Sequence, residues 1–141
     1  MIVPCEIAVK SVIPAVKALI AIQLVEKNGL KQEKVAEILG ISQSAVSKYT
    51  RKVRGCAIKI EGIEEIEPLI KKMVGLLENE NYQRGEFLKI FCQTCITIRK
   101  TGIMCQFCKK TEQKITIEEC GFCLNPQPSK RKLIRKRVDK V

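Results

Sequence analysis

Apolar residues recur at helical spacing along much of the first 80 residues of the chain. Between Ser11 and Lys27 they form one stripe that a helix would turn toward a core: Ile13, Val16, Ile20 and Leu24. Ser11 can cap the first turn of this helix, where Pro14 is also tolerated. Gly29 can take the left-handed conformation that follows a helix end. The pattern therefore predicts a core helix from about Ser11 to Lys27.

A second apolar stripe falls within residues 64–77 and predicts a second core helix, whose start Pro68 leaves open. Its members are Ile66, Leu69 or Ile70, Met73, and Leu76 or Leu77. Polar residues at 78–81 indicate a linker or an exposed helix end, and a proline-containing stretch near residue 126 should stop any regular element. These breaks predict three parts: residues 1–80, a cysteine-rich module at residues 86–125, and a basic tail at residues 126–141.

Residues 30–49 contain the features that two short helices need in order to cross over a tight turn. Ala36 is the small residue where the helices touch, Gly40 accepts the turn four positions later, and Ser42 can cap the second helix. Apolar positions that would face the rest of the domain are Val35, Leu39, Ile41, Val46 and Tyr49. Together these features predict a helix-turn-helix from about Gln32 to Tyr49, with a helical hairpin used only for packing as the alternative.

The second helix of this motif would present its first residues to the major groove of DNA. Gln43 and Ser44 would then reach base edges, because glutamine can bond bidentately to adenine and serine is permissive. Ser47 and Lys48 lie one turn further along the same face, where Lys48 could read guanine or touch phosphate. Backbone contacts, which position a protein without specifying sequence, are expected from three basic residues that follow: Arg51, Lys52 and Arg54.

Residues 11–77 resemble the lambda-repressor/Cro-like (XRE) family of transcriptional regulators, most specifically from Gln32 to Tyr49. The segments Pro4–Glu6 and Val12–Val16 look like the opening of archaeal-type regulators in that family, some of which carry cysteine pairs downstream. The resemblance implies a compact bundle of about five helices and binding, as a dimer, to a roughly palindromic operator. It also implies that Gln32 bonds a phosphate and braces the first glutamine of the recognition helix.

The composition favours a nucleic-acid partner and excludes several kinds of chemistry. Lysine and arginine number 26 against 15 acidic residues, and the net charge of +11 predicts a polyanionic partner through counterion release. Aromatic residues make up 4% of the chain, so the core must be aliphatic, as suits packed helices. The chain has no histidine, which excludes a histidine base, a triad and a histidine metal ligand. Charge alone leaves a merely soluble basic protein as the alternative.

Six of the eight cysteines form three Cys-x-x-Cys pairs. The pairs are Cys92 with Cys95, Cys105 with Cys108, and Cys120 with Cys123. Such a pair places two sulfurs on one side of a tight turn, and two pairs complete a four-thiolate metal site. The intervals between pairs suit short hairpins, and the alternation over residues 115–117 favours a strand. Nearby lysines would favour the thiolate forms: Lys100, Lys109 and Lys110.

Six cysteines exceed one four-thiolate site, so two metals and several ligand sets stay open. Structural zinc on two pairs would leave the third pair free, whereas an iron–sulfur cluster would leave it for redox exchange or dimer contacts and would sense redox state or iron supply. Zinc is preferred, because the closely spaced ferredoxin run of cysteines ending in proline is absent. Cys5 and Cys56 are expected to be buried as small apolar residues.

Neither a signal-peptide pattern nor an uninterrupted apolar stretch of the roughly 20 residues that span a membrane is found in the sequence. We therefore expect a cytoplasmic protein, in which paired cysteines more often bind metal than form disulfides. From Lys130 onward the tail carries seven basic residues and one acidic residue, which predicts salt-dependent, non-specific DNA affinity. A membrane-surface helix is less favoured there, because two apolar residues in the middle of the run are too few.

These observations predict a mainly α protein: a lambda-repressor-like helical bundle, a small cysteine-rich metal-binding module with a short β-hairpin, and a flexible basic tail. The expected function is a sequence-specific DNA-binding transcription regulator rather than an enzyme. A dithiol redox or nucleic-acid-modifying enzyme targeted by the helix-turn-helix is the alternative, against which stand the missing histidine and the lack of a glycine-rich phosphate loop. A third possibility is an accessory protein that binds RNA or polymerase through the cysteine module. Repression is favoured over activation by analogy alone.

Overall fold

A computed structural model describes residues 1–124 of the chain, and the predicted basic tail lies outside this range. The helices are α1 Pro4–Lys10, α2 Val12–Ile22, α3 Gln32–Leu39, α4 Gln43–Thr50, α5 Glu67–Glu78, α6 Arg84–Lys100, α7 Cys105–Thr111 and α8 Ile117–Cys120. Within residues 1–124 there is no strand. The mainly α class is therefore confirmed, and the short β-hairpin predicted among the cysteines is wrong.

The predicted strand at residues 115–117 fails because the chain turns into a helix there. Thr116 has extended backbone and precedes the first residue of α8, Ile117. The amide N–H of Cys120 donates to the Thr116 carbonyl at 3.0 Å, which closes a helical turn. Three alternating residues are too short a pattern to distinguish a strand from the entry to a helix.

The predicted first core helix is present as α2, which continues as a π-helix over Gln23–Lys27. Gly29 follows it with a φ of +67°, and the Leu30 N–H donates to the Leu24 carbonyl at 3.0 Å. This bond across a left-handed glycine is a common helix ending and turns the chain toward α3. The predicted end of the helix is therefore confirmed.

The helix starts where it was predicted, with Ser11 in the N-cap position before Val12, but it is not capped as predicted, and α1 precedes it. The Ser11 hydroxyl donates to the carbonyl of Ile7 at 2.7 Å, so it bonds back to α1 and does not cap α2. Helix α1 has only seven residues, too few for its apolar positions to establish a helical period.

The core is one cluster that collects residues from helices along the whole described range. Helix α2 lies at its centre and contacts α1, α4, α5 and α6. Residues with no exposed surface come from five helical segments and include Val16, Leu24, Val35, Val46, Met73 and Ile98. Such close-packed burial fixes how α3 and α4 are held, since α4 rests on α2, and α3 rests on α4 and on the π-helix that continues α2.

The helical residues Pro4–Lys27 together are long and apolar enough to cross a membrane by length and composition. The expectation that no stretch of the chain reached this length is therefore wrong. In the most apolar window of this segment, however, 56% is buried inside the protein. The core helix of a soluble protein meets the same criterion, and the contacts of α2 with four other helices describe such a helix.

Candidate nucleic-acid interface and cysteine cluster

The turn between α3 and α4 is built by the residues that the sequence singled out. Gly40 has a φ of +62°, a left-handed conformation that glycine adopts without steric cost. The Ile41 N–H then donates to the Ala36 carbonyl at 3.0 Å. Ser42 caps α4, because its hydroxyl oxygen accepts a hydrogen bond from the Ala45 amide at 3.2 Å. The predicted helix-turn-helix geometry is confirmed.

One side of α4 is buried and therefore determines which side faces outward. Val46 and Tyr49 are buried in the core, as is Val35 of α3. Leu39 and Ile41, the other predicted apolar anchors, are partly buried against the same cluster. The opposite side of α4 consequently presents Gln43, Ser44 and Lys48 to solvent, all three exposed.

A hydrogen bond joins the first residues of the two helices. The side-chain amide of Gln43 donates to the Oε1 of Gln32 at 3.3 Å. This is the contact that the family resemblance implied between these two glutamines. Ser47 is half-buried, and its carbonyl accepts from the Arg51 backbone amide at 3.1 Å. The DNA-binding roles of all these residues stay predictions.

The chain beyond α4 adds positive charge beside the exposed face. Arg51, Lys52 and Arg54 are exposed, and the Arg54 guanidinium lies 5.5 Å from the centre of the Tyr49 ring. A groove of about 360 Å³ between this segment and α2 also contains Lys59, which sequence reasoning had not singled out. Lys59 follows Lys52 by seven residues of irregular chain, so no periodicity marked it.

Residues 22–55 match the family model for helix-turn-helix proteins. The match runs from the end of α2 through α3 and α4 to the basic segment beyond them. No curated protein and no solved structure matches the chain. The matched segment supports the resemblance to the lambda-repressor/Cro-like class of helix-turn-helix proteins. Proteins with this domain are in general DNA-binding transcription regulators rather than enzymes.

Five of the six paired cysteines lie on three different helices, and Cys123 lies in the turn after the last of them. Cys92 and Cys95 occupy the middle of α6, where Cys92 is exposed and Cys95 half-buried. Cys105 and Cys108 are the first and fourth residues of α7. Cys120 ends α8 and is exposed, whereas Cys123, three residues later, is buried.

The second and third pairs face the same small cavity. Cys105, Cys108, Cys120 and Cys123 all line it, together with apolar residues that include Met104 and Ile115. Burial, followed by the neighbouring charge of Cys123, raises the pKa of the Cys105 and Cys108 thiols above their ordinary value. The expectation that lysines would favour thiolates here is therefore wrong, since burial favours the protonated form of both thiols.

Arg99 connects this cavity to a second group of sulfurs. Its Nε donates to the Cys123 sulfur at 3.4 Å, and its Nη1 donates to the Cys5 sulfur at 3.8 Å. Burial lowers the pKa of Arg99, but its bond to Cys123 and the charge of that sulfur raise it further, so the net shift is upward. The pKa of Cys95 is raised by burial, which outweighs the opposing charge of Arg99.

Cys5 and Cys56 were both expected to be buried, and both are exposed. Cys5 lies instead at the surface beside Arg99, and Cys56 lines the groove that follows α4. Among residues 1–124, no three cysteine, aspartate or glutamate side chains lie close enough to hold a metal ion as they stand. The predicted metal ligands therefore stay predictions, although four of the six share one cavity.

Proposed function

We propose that this protein is a sequence-specific transcription regulator that inserts α4 into the major groove of an operator. The observation that carries the proposal is the exposed face of α4, on which Gln43, Ser44 and Lys48 stand beside a basic segment. The family match over residues 22–55 supports a role in DNA binding. Chain-wide positive charge would add affinity that does not depend on sequence.

The bond between the two glutamines supports Gln43 as a reader of adenine. A free glutamine amide rotates, whereas one N–H of Gln43 is directed to the Gln32 oxygen. Its second N–H and its oxygen remain available as the donor and acceptor that match adenine N7 and N6. Gln32 itself would touch a phosphate from the start of α3, and the face would be completed by Ser44, Ser47 and Lys48.

The remaining parts of the proposal concern the backbone contacts and the assembly. Arg51 and Lys52, with Arg54, would hold the phosphate backbone on either side of the groove. Two copies of the chain would bind a palindromic operator, with half-sites separated by about 34 Å, one turn of DNA. The protein would act in the cytoplasm, and its cysteine pairs would hold zinc or an iron–sulfur cluster.

Selection of binding sites from genomic DNA, followed by footprinting, tests the proposal directly. Recovery of one protected palindrome, occupied by two chains in sedimentation analysis, is the expected result. Protection without sequence preference would contradict it, as would selective binding to RNA.

The Gln43→Ala variant tests the recognition face. We expect it to lose about 1–3 kcal/mol of discrimination between the operator and an operator with one altered adenine, because the bidentate pair is removed. Gln93→Ala is the matched control, since Gln93 is another exposed helical glutamine but lies on α6. Binding is measured by fluorescence anisotropy at fixed salt. An equal loss on specific and random DNA would make Gln43 a positioning contact.

A further inference from the structure

The four sulfurs that share one cavity come from two segments whose local geometry turns them inward. Cys105 and Cys108 are one helical turn apart on α7, so both lie on one side of that helix. Cys120 and Cys123 flank Gly121, whose φ of +51° turns the chain sharply after α8. The cavity between the two segments is lined by all four of these cysteines.

The first pair, Cys92 and Cys95, does not line this cavity. The charges that act on the Cys95 thiol come instead from Arg99, from Cys5 and from its own pair partner, Cys92. The cysteines therefore form two groups: four line the cavity, whereas Cys92 and Cys95 lie on the side of α6 where Arg99 contacts Cys5 of α1.

The cavity has room for a single ion between its sulfurs. The space that a water molecule can occupy there is about 30 Å³, enough for one water molecule or one ion, and the wider opening around it measures about 400 Å³. The preference for zinc over an iron–sulfur cluster therefore rests on the sequence, in which the closely spaced ferredoxin run of cysteines ending in proline is absent. A tetrahedral ion would require only that the four sulfurs close in to about 2.3 Å from it.

We infer that Cys105, Cys108, Cys120 and Cys123 bind one Zn²⁺ ion as four thiolates. Each thiol releases its proton to solvent as its sulfur bonds the metal, so four protons leave and the site carries two negative charges. The Arg99 N–H that already points at the Cys123 sulfur compensates part of that charge and orients the ligand.

This site would fasten the last described helices to the start of the chain. Pro4 of α1 lines the same cavity, and α7 contacts α1. The backbone amide of Ile2 also donates to the Glu112 carboxylate, which follows α7, at 3.0 Å. Zinc would therefore stabilise the packing of α7 and α8 on α1, which is a structural role.

Metal analysis of three double variants tests the ligand set. Wild-type protein purified anaerobically is expected to hold about one zinc per chain and no iron. Cys105→Ser/Cys108→Ser and Cys120→Ser/Cys123→Ser should each lose the zinc. Cys92→Ser/Cys95→Ser, the control, should keep it. Loss of zinc in the control, stoichiometric iron with a broad visible absorption band, or no bound metal at all would each overturn the inference.

Thiol protection in the unaltered protein gives a test that does not depend on whether a variant folds. Cys120 and Cys92 are both exposed, so burial protects neither from an alkylating reagent. We expect Cys120 to resist alkylation until a chelator is added and then to react as fast as Cys92, whose rate should not change. Rapid alkylation of Cys120 before chelation would overturn the inference.

The inference deepens the proposed metal module and does not depend on operator binding. The two fail independently: a protein with zinc on another cysteine set could still protect a palindrome, and a four-cysteine zinc protein could still lack an operator. Metal content and thiol mapping decide the first, whereas footprinting decides the second.

Discussion

At the level of single residues, the recognition turn depends on the left-handed conformation of Gly40. Its φ is +62°, and a Cβ placed on it would meet no atom within 4 Å. The cost of a side chain there is therefore only backbone strain. The other residues of the turn, Ala36 and Ser42, act through equally local geometry, and all three were predicted from the sequence.

We expect Gly40→Ala to lower the free energy of unfolding by about 1–2 kcal/mol, because alanine is strained in the left-handed region. Gly75→Ala is the control, since Gly75 lies inside α5 and its Cβ would also meet nothing within 4 Å. In a helix interior that change should instead stabilise by about 0.8–1 kcal/mol. Urea unfolding of both variants measures the difference. A stabilised Gly40→Ala protein would contradict the assignment of strain.

At the level of elements, the position of the basic segment after α4 is set by its contact with α2. Gly55 has a φ of +78°, and a Cβ there would lie 2.7 Å from both the Ala18 Cβ and the Pro14 carbonyl oxygen. Backbone of α2 cannot retreat as a flexible side chain can. The close approach at Gly55 therefore holds Arg54, stacked on Tyr49, near the exposed face of α4.

The Gly55→Ala variant should lose at least about 2 kcal/mol of stability, since it adds overpacking to backbone strain. Gly62→Ala is the control that carries backbone strain alone, because Gly62 also has a positive φ, +86°, but open space around its Cβ. The difference between the two losses of stability is the overpacking at Gly55. The comparison uses the midpoints of urea unfolding, with the dependence of the unfolding free energy on urea concentration unchanged between the variants. Equal losses in the two variants would show that the contact with α2 is not tight in solution.

At the level of the whole molecule, the helix-turn-helix and the cysteine-bearing helices share one core. Helix α6 packs on α2 and α5, and Ile98 of α6 has no exposed surface. Helix α2 also supports α4, so a loss of packing at α6 should also destabilise the recognition helix α4. The sequence-based division at residue 80 stays a prediction, and cooperativity of unfolding is its direct measure.

The Ile98→Ala variant should destabilise the protein by about 2–5 kcal/mol through the cavity it leaves. Leu88→Ala on the same helix is the control, because Leu88 is 45% exposed and its loss should cost at most about 0.5 kcal/mol. Hydrogen exchange is measured at the amides of α4 in both proteins. If unfolding is cooperative, Ile98→Ala lowers protection in α4, whereas unchanged protection there would indicate that α6 unfolds separately.

The sequence by itself determined the features that depend on neighbours within a few residues. Helix α2 with its glycine ending, the crossing at Ala36, the turn at Gly40 and the cap at Ser42 follow from periodicity and backbone preference, which are local. The same reasoning missed α1, whose seven residues are too few for a period, and mistook the entry to α8 for a strand.

Only the tertiary structure decided which distant segments meet. Cys-x-x-Cys spacing brings two sulfurs together, but it carries no information about which pair lies opposite another. That depends on how α6 and α7 pack against α1 and α2, which places the second and third pairs around one cavity and leaves the first pair outside it. The position of Cys5 was missed for the same reason: the side chain it contacts, Arg99, is 94 positions away along the chain.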